Sequence, residues 1–506
     1  MNKRDGKRFF GFVLRMTISV FQITTPSLAI TYANILCYNH SMAKTKTKWV
    51  CQSCGYETVS YLGRCPECSQ FGTFVEEIIS NPTKNESNKP ANLVPTESKI
   101  SKIKEIELDE KIRFKTNIDE LDRVLGGGFV QGSLSLLAGD PGIGKSTLVL
   151  QTTKNICEIK QNDENLKVLY VCAEESPLQV KLRAKRLEVE PESLYLTNQT
   201  CIDEIITQID TIKPDFLIVD SIQSVYCANV ASSAGSVSQI RECTNVLMRI
   251  AKQKNITTII IGHVTKEGNI AGPKVLEHMV DCVINFEGDK FKQYRILRCI
   301  KNRFGTISEV GVFKMEDEGL IEVNSPSQML LEQHQQAAGS AIVATLEGSR
   351  VFLHEIQALA GSTSYTNPRR VAVGIEYNRL LQVLAVLEKK VGLNLSKQDV
   401  YVNVVGGIDI IEPSYDLALA LAIISSVRDI PINNDTIIIG EVGLLGEIRY
   451  VDNIERRLKE AQKLGFKKAI IPKTNEKTTA KLKEIGLEIK QVSKLTEAII
   501  QGLKQN

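Results

Sequence analysis

Three things are missing from this 506-residue sequence, and each excludes a class of protein. There is no excess of one charge, since 62 basic residues face 59 acidic ones for a net of +3. A global basic field is therefore absent, and any binding to a polyanion has to come from local basic loops. There is no clean membrane-length apolar run. The apolar stretch over residues 16–35 follows Arg15 and is broken by Thr24, Thr25, Ser27 and Asn34, whereas a span needs about 20 consecutive, mainly apolar residues. There is also no internal repeat of fixed period, which excludes solenoids and propellers. What remains is a chain too long for one hydrophobic core, so two or three domains are expected.

The first 41 residues differ from the rest. Lys3, Arg4, Lys7, Arg8 and Arg15 precede the interrupted apolar stretch, a poor secretion signal because its apolar centre is broken by polar residues. Met42 opens MAKTKTKWVCQSCG and is the expected functional start, with 1–41 a dispensable extension. Removing it takes away five basic residues and one acid and turns the +3 into −1.

Twelve cysteines are present. Eight are scattered, mostly in apolar runs, which suits buried thiols in a reducing cytoplasm. The other four form two CxxC pairs, Cys51 with Cys54 and Cys65 with Cys68, ten residues apart. Each pair can direct two thiolates at one tetrahedral centre, and together they close a structural Zn²⁺ site over residues 49–75. Gly55 and Gly63 suit its tight turns. No histidine or carboxylate leaves an open coordination position for catalysis. A redox-active CxxC is the alternative, which the double pair disfavours.

Residues 76–112 read as a linker, with a polar, proline-containing centre over 80–100. From 113 to 325, apolar strand candidates (SLSLLAG, KVLYVCA, DFLIVD, ITTIIIGHV) alternate with helical stretches, the pattern of a parallel sheet covered on both faces. A short helical connection follows, and a second α/β unit spans 340–506 with strands AIVATLEG, RVAVGI, VYVNVVGG, DTIIIGEV and KKAIIP.

The run Gly139, Asp140, Pro141, Gly142, Ile143, Gly144, Lys145, Ser146, Thr147 matches G-x-x-x-x-G-K-[ST] between a strand and a helical segment, the context this motif requires. Glycines let backbone N–H groups close around phosphate oxygens, and the helix N-terminus favours the anion. Lys145 then neutralises the β- and γ-phosphates of ATP, and Ser146 ligates Mg²⁺. FLIVD ends at Asp220, the expected carboxylate that holds the metal through water or serine. VLYVCAEE ends at Glu174 and Glu175, where a carboxylate can activate the attacking water. The alternative for this pair is charge stabilisation of a helix N-terminus.

These motifs in this order resemble the bacterial RadA (Sms) family of DNA repair ATPases, from Met42 onward. The resemblance rests on WVCQSCGYETVSYLGRCPEC, ELDRVLGGGFVQGSLSLLAGDPGIGKSTLVLQ, VLYVCAEES, FLIVDSIQ, GSVSQIRE and, most specifically, KNRFG at Lys301, Asn302, Arg303, Phe304 and Gly305. Ala234 stands where the family usually has proline, and Asn117 where it usually has glycine. The resemblance implies a RecA-like P-loop core with a parallel sheet, an N-terminal four-cysteine zinc ribbon and a C-terminal Lon-protease-like α/β domain. It implies a homohexameric ring, DNA-stimulated ATP hydrolysis on single-stranded and branched DNA, branch migration, and partnership with a recombinase such as RecA.

By the same resemblance, DNA-gripping loops fall near 226–238 and 265–275, the second carrying Lys266 and Lys274. His263 would sense the γ-phosphate and relay it to that second loop, against an ordinary strand-end histidine. KFKQYRILRCIKNRF reads as a strand in a basic run with Lys290, Lys292, Arg295 and Arg298. From it Lys301 and Arg303 would reach a neighbouring subunit's γ-phosphate, the alternative being a solvated edge strand. Rival readings are a related RecA-fold helicase, a RecA-like switch ATPase that assembles signalling rings, and a Lon-type protease with Ser414 as nucleophile. The last is disfavoured because Glu455 occupies the position of the partner lysine.

Overall fold

The computed structural model describes residues 46–52, 54–79, 102, 113–161, 163–263, 275–288, 294–332, 334–365, 367–406 and 409–503. The 1–41 extension, nearly all of the linker, Lys266, Lys274, Lys290 and Lys292 lie outside the described residues.

The cysteine module is a three-stranded antiparallel sheet in the order β2-β1-β3, with β1 at Lys46–Cys51, β2 at Glu57–Thr58 and β3 at Phe74–Ile79. So small a unit buries little. Its interior is Cys51, Cys65 and Phe74, with Trp49 and Tyr61 edge-to-face at 5.1 Å beside them.

The central unit is one nine-stranded sheet. Its strands are β4 (Leu134–Gly139), β5 (Val168–Cys172), β6 (Leu194–Thr197), β7 (Phe216–Asp220), β8 (Thr257–Ile261), β9 (Cys282–Glu287), β10 (Tyr294–Asn302), β11 (Val310–Glu316) and β12 (Gly319–Glu322). They lie in the order β6-β5-β7-β8-β4-β9-β10-β11-β12. The first six are parallel, and β9 to β12 form an antiparallel meander. Every residue of β4, β5 and β8 is buried, as expected of strands covered on both faces. One face packs on α1 (Asp119–Leu125), α2 (Lys145–Cys157) and α3 (Pro177–Arg186). The other packs on α4 (Ile202–Ile212), α5 (Val237–Lys254) and α6 (Val275–Met279). Strand β10 is interior to the sheet only over residues 296–298, where β9 and β11 flank it, whereas at the KNRFG end Lys301 and Asn302 pair with β9 alone. The basic run is not a continuous patch. Arg295 is buried, and Arg298 pairs with Glu287 and Glu347.

After α7 (Pro326–Leu331) comes a seven-stranded sheet. It comprises β13 (Ser340–Glu347), β14 (Arg350–Ser362), β15 (Arg370–Val373), β16 (Gln398–Val404), β17 (Thr436–Ile438), β18 (Lys468–Pro472) and β19 (Glu488–Val492), in the order β15-β16-β14-β13-β17-β18-β19. One face is covered by α8 (Tyr377–Val386), α9 (Asp416–Arg428) and α12 (Leu495–Gly502). The other is covered by α10 (Ile454–Lys463) and α11 (Glu476–Lys483). Helix α9 is apolar all round and buried from Asp416 to Ser425, as a core helix must be.

The two sheets meet at the β13–β14 hairpin. Arg350 donates to Oε2 of Glu120 at 2.6 Å, and the Val312 N–H reaches the same oxygen at 2.8 Å. Glu120 is fully buried, so this guanidinium supplies the countercharge a buried carboxylate needs. Val310, Val312, Val323, Leu330 and Phe352 form the apolar part of the junction.

Both departures from the family pattern have a local account. Asn117 sits at φ 54°, the left-handed region where asparagine is the best substitute for glycine. Ala234 precedes Gly235 (φ 80°) in a turn closed by Ser236 N–H to Ser233 C=O at 3.1 Å. That is the position of a type II turn where proline is favoured and alanine is tolerated.

Candidate functional site

Strand β4 delivers its last residue, Gly139, into the loop that opens α2. Gly139 has φ 152°, and a Cβ there would lie 2.6 Å from the carbonyl oxygen of Phe286 on the adjacent β9. Helix α2 begins after Gly144, with no side chain capping it and no acidic residue in its first turn. Its leading N–H groups and positive dipole end are therefore available to an anion. Lys145 is folded back into this cradle, donating to the carbonyls of Gly139 (2.8 Å) and Asp140 (2.9 Å). Burial depresses its pKa to about 8, against the opposing pull of Asp220, Glu174 and Asp140. Ser146, half-buried, follows it in the first turn.

Three neighbouring strand ends supply the other groups. Asp220 leaves β7 beside the end of β5, and its Oδ2 accepts from the hydroxyl of Tyr170 at 2.6 Å. Glu174 accepts from the Ser221 hydroxyl and lies 3.1 Å from His263 Nε2. The other ring nitrogen of His263 is 3.3 Å from the Lys145 ammonium. An ammonium has only protons to offer, so Nδ1 accepts and Nε2–H faces the carboxylate, fixing the tautomer. The hydrogen bond from His263, with that of Ser221 and the nearby Lys145 charge, holds Glu174 below the usual carboxylate range despite its burial. Lys145, Glu174 and His263 thus form one chain. Glu175 does not join it, because Arg183 NH2 holds both its oxygens, at 2.6 and 2.8 Å.

The KNRFG residues are tied down within the chain. Lys301 Nζ donates to the carbonyls of Glu277 (2.6 Å), Val280 (2.8 Å) and His278 (3.2 Å), closing the end of α6. Asn302 donates to Leu125 C=O at the end of α1 and accepts from Phe304 N–H. Arg303 pairs with Asp281 at 3.0 Å, and Gly305 packs against Gly126. In the first expected DNA loop, the buried Gln239 amide bonds Cys227 N–H and the carbonyls of Cys227, Val230 and Ser232. Gln239, Tyr170 and Ser221 lie within the segments GSVSQIRE, VLYVCAEES and FLIVDSIQ, but none of the three was singled out as a site residue. Each acts through a contact that only the fold creates.

In the ribbon, the Sγ atoms of Cys51 and Cys68 lie 3.7 Å apart and those of Cys54 and Cys65 lie 3.4 Å apart. All four fall within 4.8 Å of one another. Tetrahedral Zn²⁺ with Zn–S of about 2.3 Å places sulfurs about 3.8 Å apart, so the four residues fit the metal. The two knuckles repeat one turn: Gly55 N–H bonds Cys51 C=O, and Ser69 N–H bonds Cys65 C=O. Gly55 and Ser69 are both left-handed, at φ 75° and 61°. The residue matching Gly55 in the second knuckle is therefore Ser69, and Gly63 is not at a positive-φ position.

Known proteins agree with this assembly. A family model for an AAA domain matches residues 97–269, and a rubredoxin metal binding domain model matches 49–76. The DNA repair protein RadA of Bacillus subtilis (strain 168) is 50% identical over 463 residues, covering 91% of this chain and 100% of that protein. That of Listeria monocytogenes is 51% identical over 435 residues (86% and 93%), and that of Synechocystis sp. is 44% identical over 494 residues (92% and 96%). The chain belongs to the DNA repair protein RadA family. As a member of that family it combines a RecA-like P-loop α/β core for ATP and Mg²⁺ with a ribbon for Zn²⁺. Among the described residues no helix is long and apolar enough to cross a membrane.

The C-terminal unit of this RadA family chain is matched over residues 376–475 by a model for subunit ChlI of Mg-chelatase. Ser414 is buried just before α9 and donates to Glu412 Oε1 at 2.6 Å. Glu455, where a Lon-type lysine was expected, points outward and pairs with Lys459 at 2.6 Å. The group on Ser414 is Arg457 instead, with NH1 at 3.3 Å from Oγ and NH2 at 2.7 Å from Glu412 Oε2. A guanidinium does not give up a proton at accessible pH, so it cannot act as the base a serine nucleophile needs.

Proposed function

We propose that this chain hydrolyses ATP in response to single-stranded DNA and, as a homohexameric ring, moves on that strand to drive branch migration of recombination intermediates. A recombinase such as RecA would be its partner, in the cytoplasm. The observation that carries the chemistry is the Glu174 carboxylate, held by Ser221 and His263 and joined through His263 to Lys145. The names of its relatives support DNA as the partner.

In this reading Lys145 meets the β- and γ-phosphates, and Glu174 orients and deprotonates the attacking water. Ser146 and, through water, Asp220 would hold Mg²⁺, which supplies charge neutralisation when bound with the nucleotide. His263 reports the γ-phosphate to the segment carrying Lys266 and Lys274. The KNRFG motif acts in trans. On β9, Cys282 pairs with Ser135 and Asn302, whereas Phe286 pairs with Gly139. The motif and the chain's own phosphate loop are thus at opposite ends of the same strands, about 13 Å apart at 3.3 Å per residue. That separation supports the reading in which Lys301 and Arg303, on leaving the carbonyls and Asp281 that hold them here, reach a neighbour's γ-phosphate, where a cation raises turnover by ~10³ or more.

The test is ATPase activity with and without single-stranded DNA, run beside electron microscopy of the particles. Stimulation together with closed rings is expected, and DNA-indifferent hydrolysis by monomers contradicts the proposal. Mixing Arg303→Ala with Lys145→Ala subunits should restore part of the ATPase. No recovery in rings shown to be mixed removes the trans assignment. The protease alternative is disfavoured by Arg457 on Ser414.

A further inference from the structure

We infer that Tyr170 is a positioning residue for the Asp220 carboxylate, fixing which of its oxygens faces the nucleotide-bound metal. The inference rests on the ATPase reading above. Tyr170 lies on β5 two residues before Cys172, and Cys172 is the residue paired with Asp220 on β7. Side chains two apart on a strand share a face, so the phenol and the carboxylate emerge on the same side of adjacent parallel strands. There the hydroxyl meets Oδ2 at 2.6 Å, a short, charge-assisted bond.

A carboxylate at an open strand end turns freely about its last torsion and can offer either oxygen outward. A donor rising from the core binds one oxygen and leaves Oδ1 for the phosphate side. The arrangement is braced. Tyr170 is fully buried and cannot swing away, and the N–H groups of Ala173 and Glu174 both bond the Asp220 carbonyl. A phenol carries its proton at neutral pH and so serves the carboxylate as a hydrogen-bond donor. An apolar ring would pack in the same space. The hydroxyl therefore has a role that packing alone does not require.

Tyr170→Phe removes only that oxygen. Two quantities are read on the full chain: the gain in affinity for a fluorescent ATP analogue when Mg²⁺ replaces EDTA, and kcat. Both should fall about tenfold, equivalent to about 1.4 kcal/mol, while affinity in EDTA and the melting temperature stay near the parent values. In an Asp220→Asn background, Tyr170→Phe should change the Mg²⁺-dependent gain no further. A full Mg²⁺-dependent gain and an unchanged kcat in Tyr170→Phe overturn the inference. So does an equal loss with and without Mg²⁺ accompanied by a lower melting temperature, which is the signature of a merely structural hydroxyl. A parent chain that neither binds nor hydrolyses ATP instead removes the ATPase reading, and the two failures are distinct.

Discussion

Nucleotide binding at this site should draw protons from solution, because the lysine that meets the phosphates is poorly charged without them. Burial lowers Lys145 to about 8, from an ordinary lysine value of about 10.4. A bound triphosphate favours the ammonium and returns the pKa upward. At pH 8 about half the free sites hold a neutral amine, so binding should take up about half a proton per site. At pH 7 the uptake should fall to about a tenth. Calorimetric titrations in buffers of different ionisation enthalpy measure this number directly. Affinity should weaken by up to tenfold per pH unit above 8, and Lys145→Arg, charged throughout, should show no uptake. The sign for stability is the reverse of a salt-bridged lysine. Between about 8 and 10.4 the unfolded chain binds more protons than the folded one, so this group's contribution improves as pH rises through that window. Equal binding heats in all buffers at pH 8 would refute the reasoning, since Lys145 would then be fully charged before the nucleotide arrives.

Arg350→Ala should destabilise the chain by about 3 kcal/mol, the low end for breaking a buried ion pair, because Glu120 keeps the Val312 N–H. Denaturant unfolding within about 0.5 kcal/mol of the parent would show the junction does not depend on that pair. Thiol modification of the ribbon should release about one Zn²⁺ per chain as the four thiolates are titrated, and metal-free protein with its thiols intact and full DNA binding would contradict a structural role. Casein or peptide cleavage should be absent, and unchanged by Ser414→Ala. Any Ser414-dependent cleavage would mean that Arg457 leaves the serine in some state.

The phosphate loop and the paired CxxC were legible because their chemistry is local: a few adjacent residues define both ligand and backbone. In the central sheet the buried parallel strands β4, β5, β7 and β8 were legible as apolar runs, whereas β9 (CVINFE), interrupted by Asn285, was not. Strand β6 escaped because LYLT is short and partly exposed, and β14 because His354, Glu355 and Gln357 interrupt its apolar pattern. The site's supporting residues come from different strand ends, so Tyr170 on Asp220 and Ser221 on Glu174 depend on strand order that no local motif encodes. In the C-terminal unit, alignment by spacing reached Glu455. The contact belongs to Arg457, which at 100° per residue lies about 200° further round the helix and faces inward.

Steady-state hydrolysis by Glu174→Gln tests the central claim most directly, with nucleotide affinity measured on the same sample. The substitution keeps the shape of the side chain and one acceptor oxygen for Ser221 and His263, and it removes the base. Turnover should drop by about 10²–10⁴, the usual contribution of a positioned general base, while ATP affinity changes little. A variant that binds ATP and hydrolyses it at the parent rate would contradict the claim that Glu174, held by Ser221 and His263 beside Lys145, activates the water.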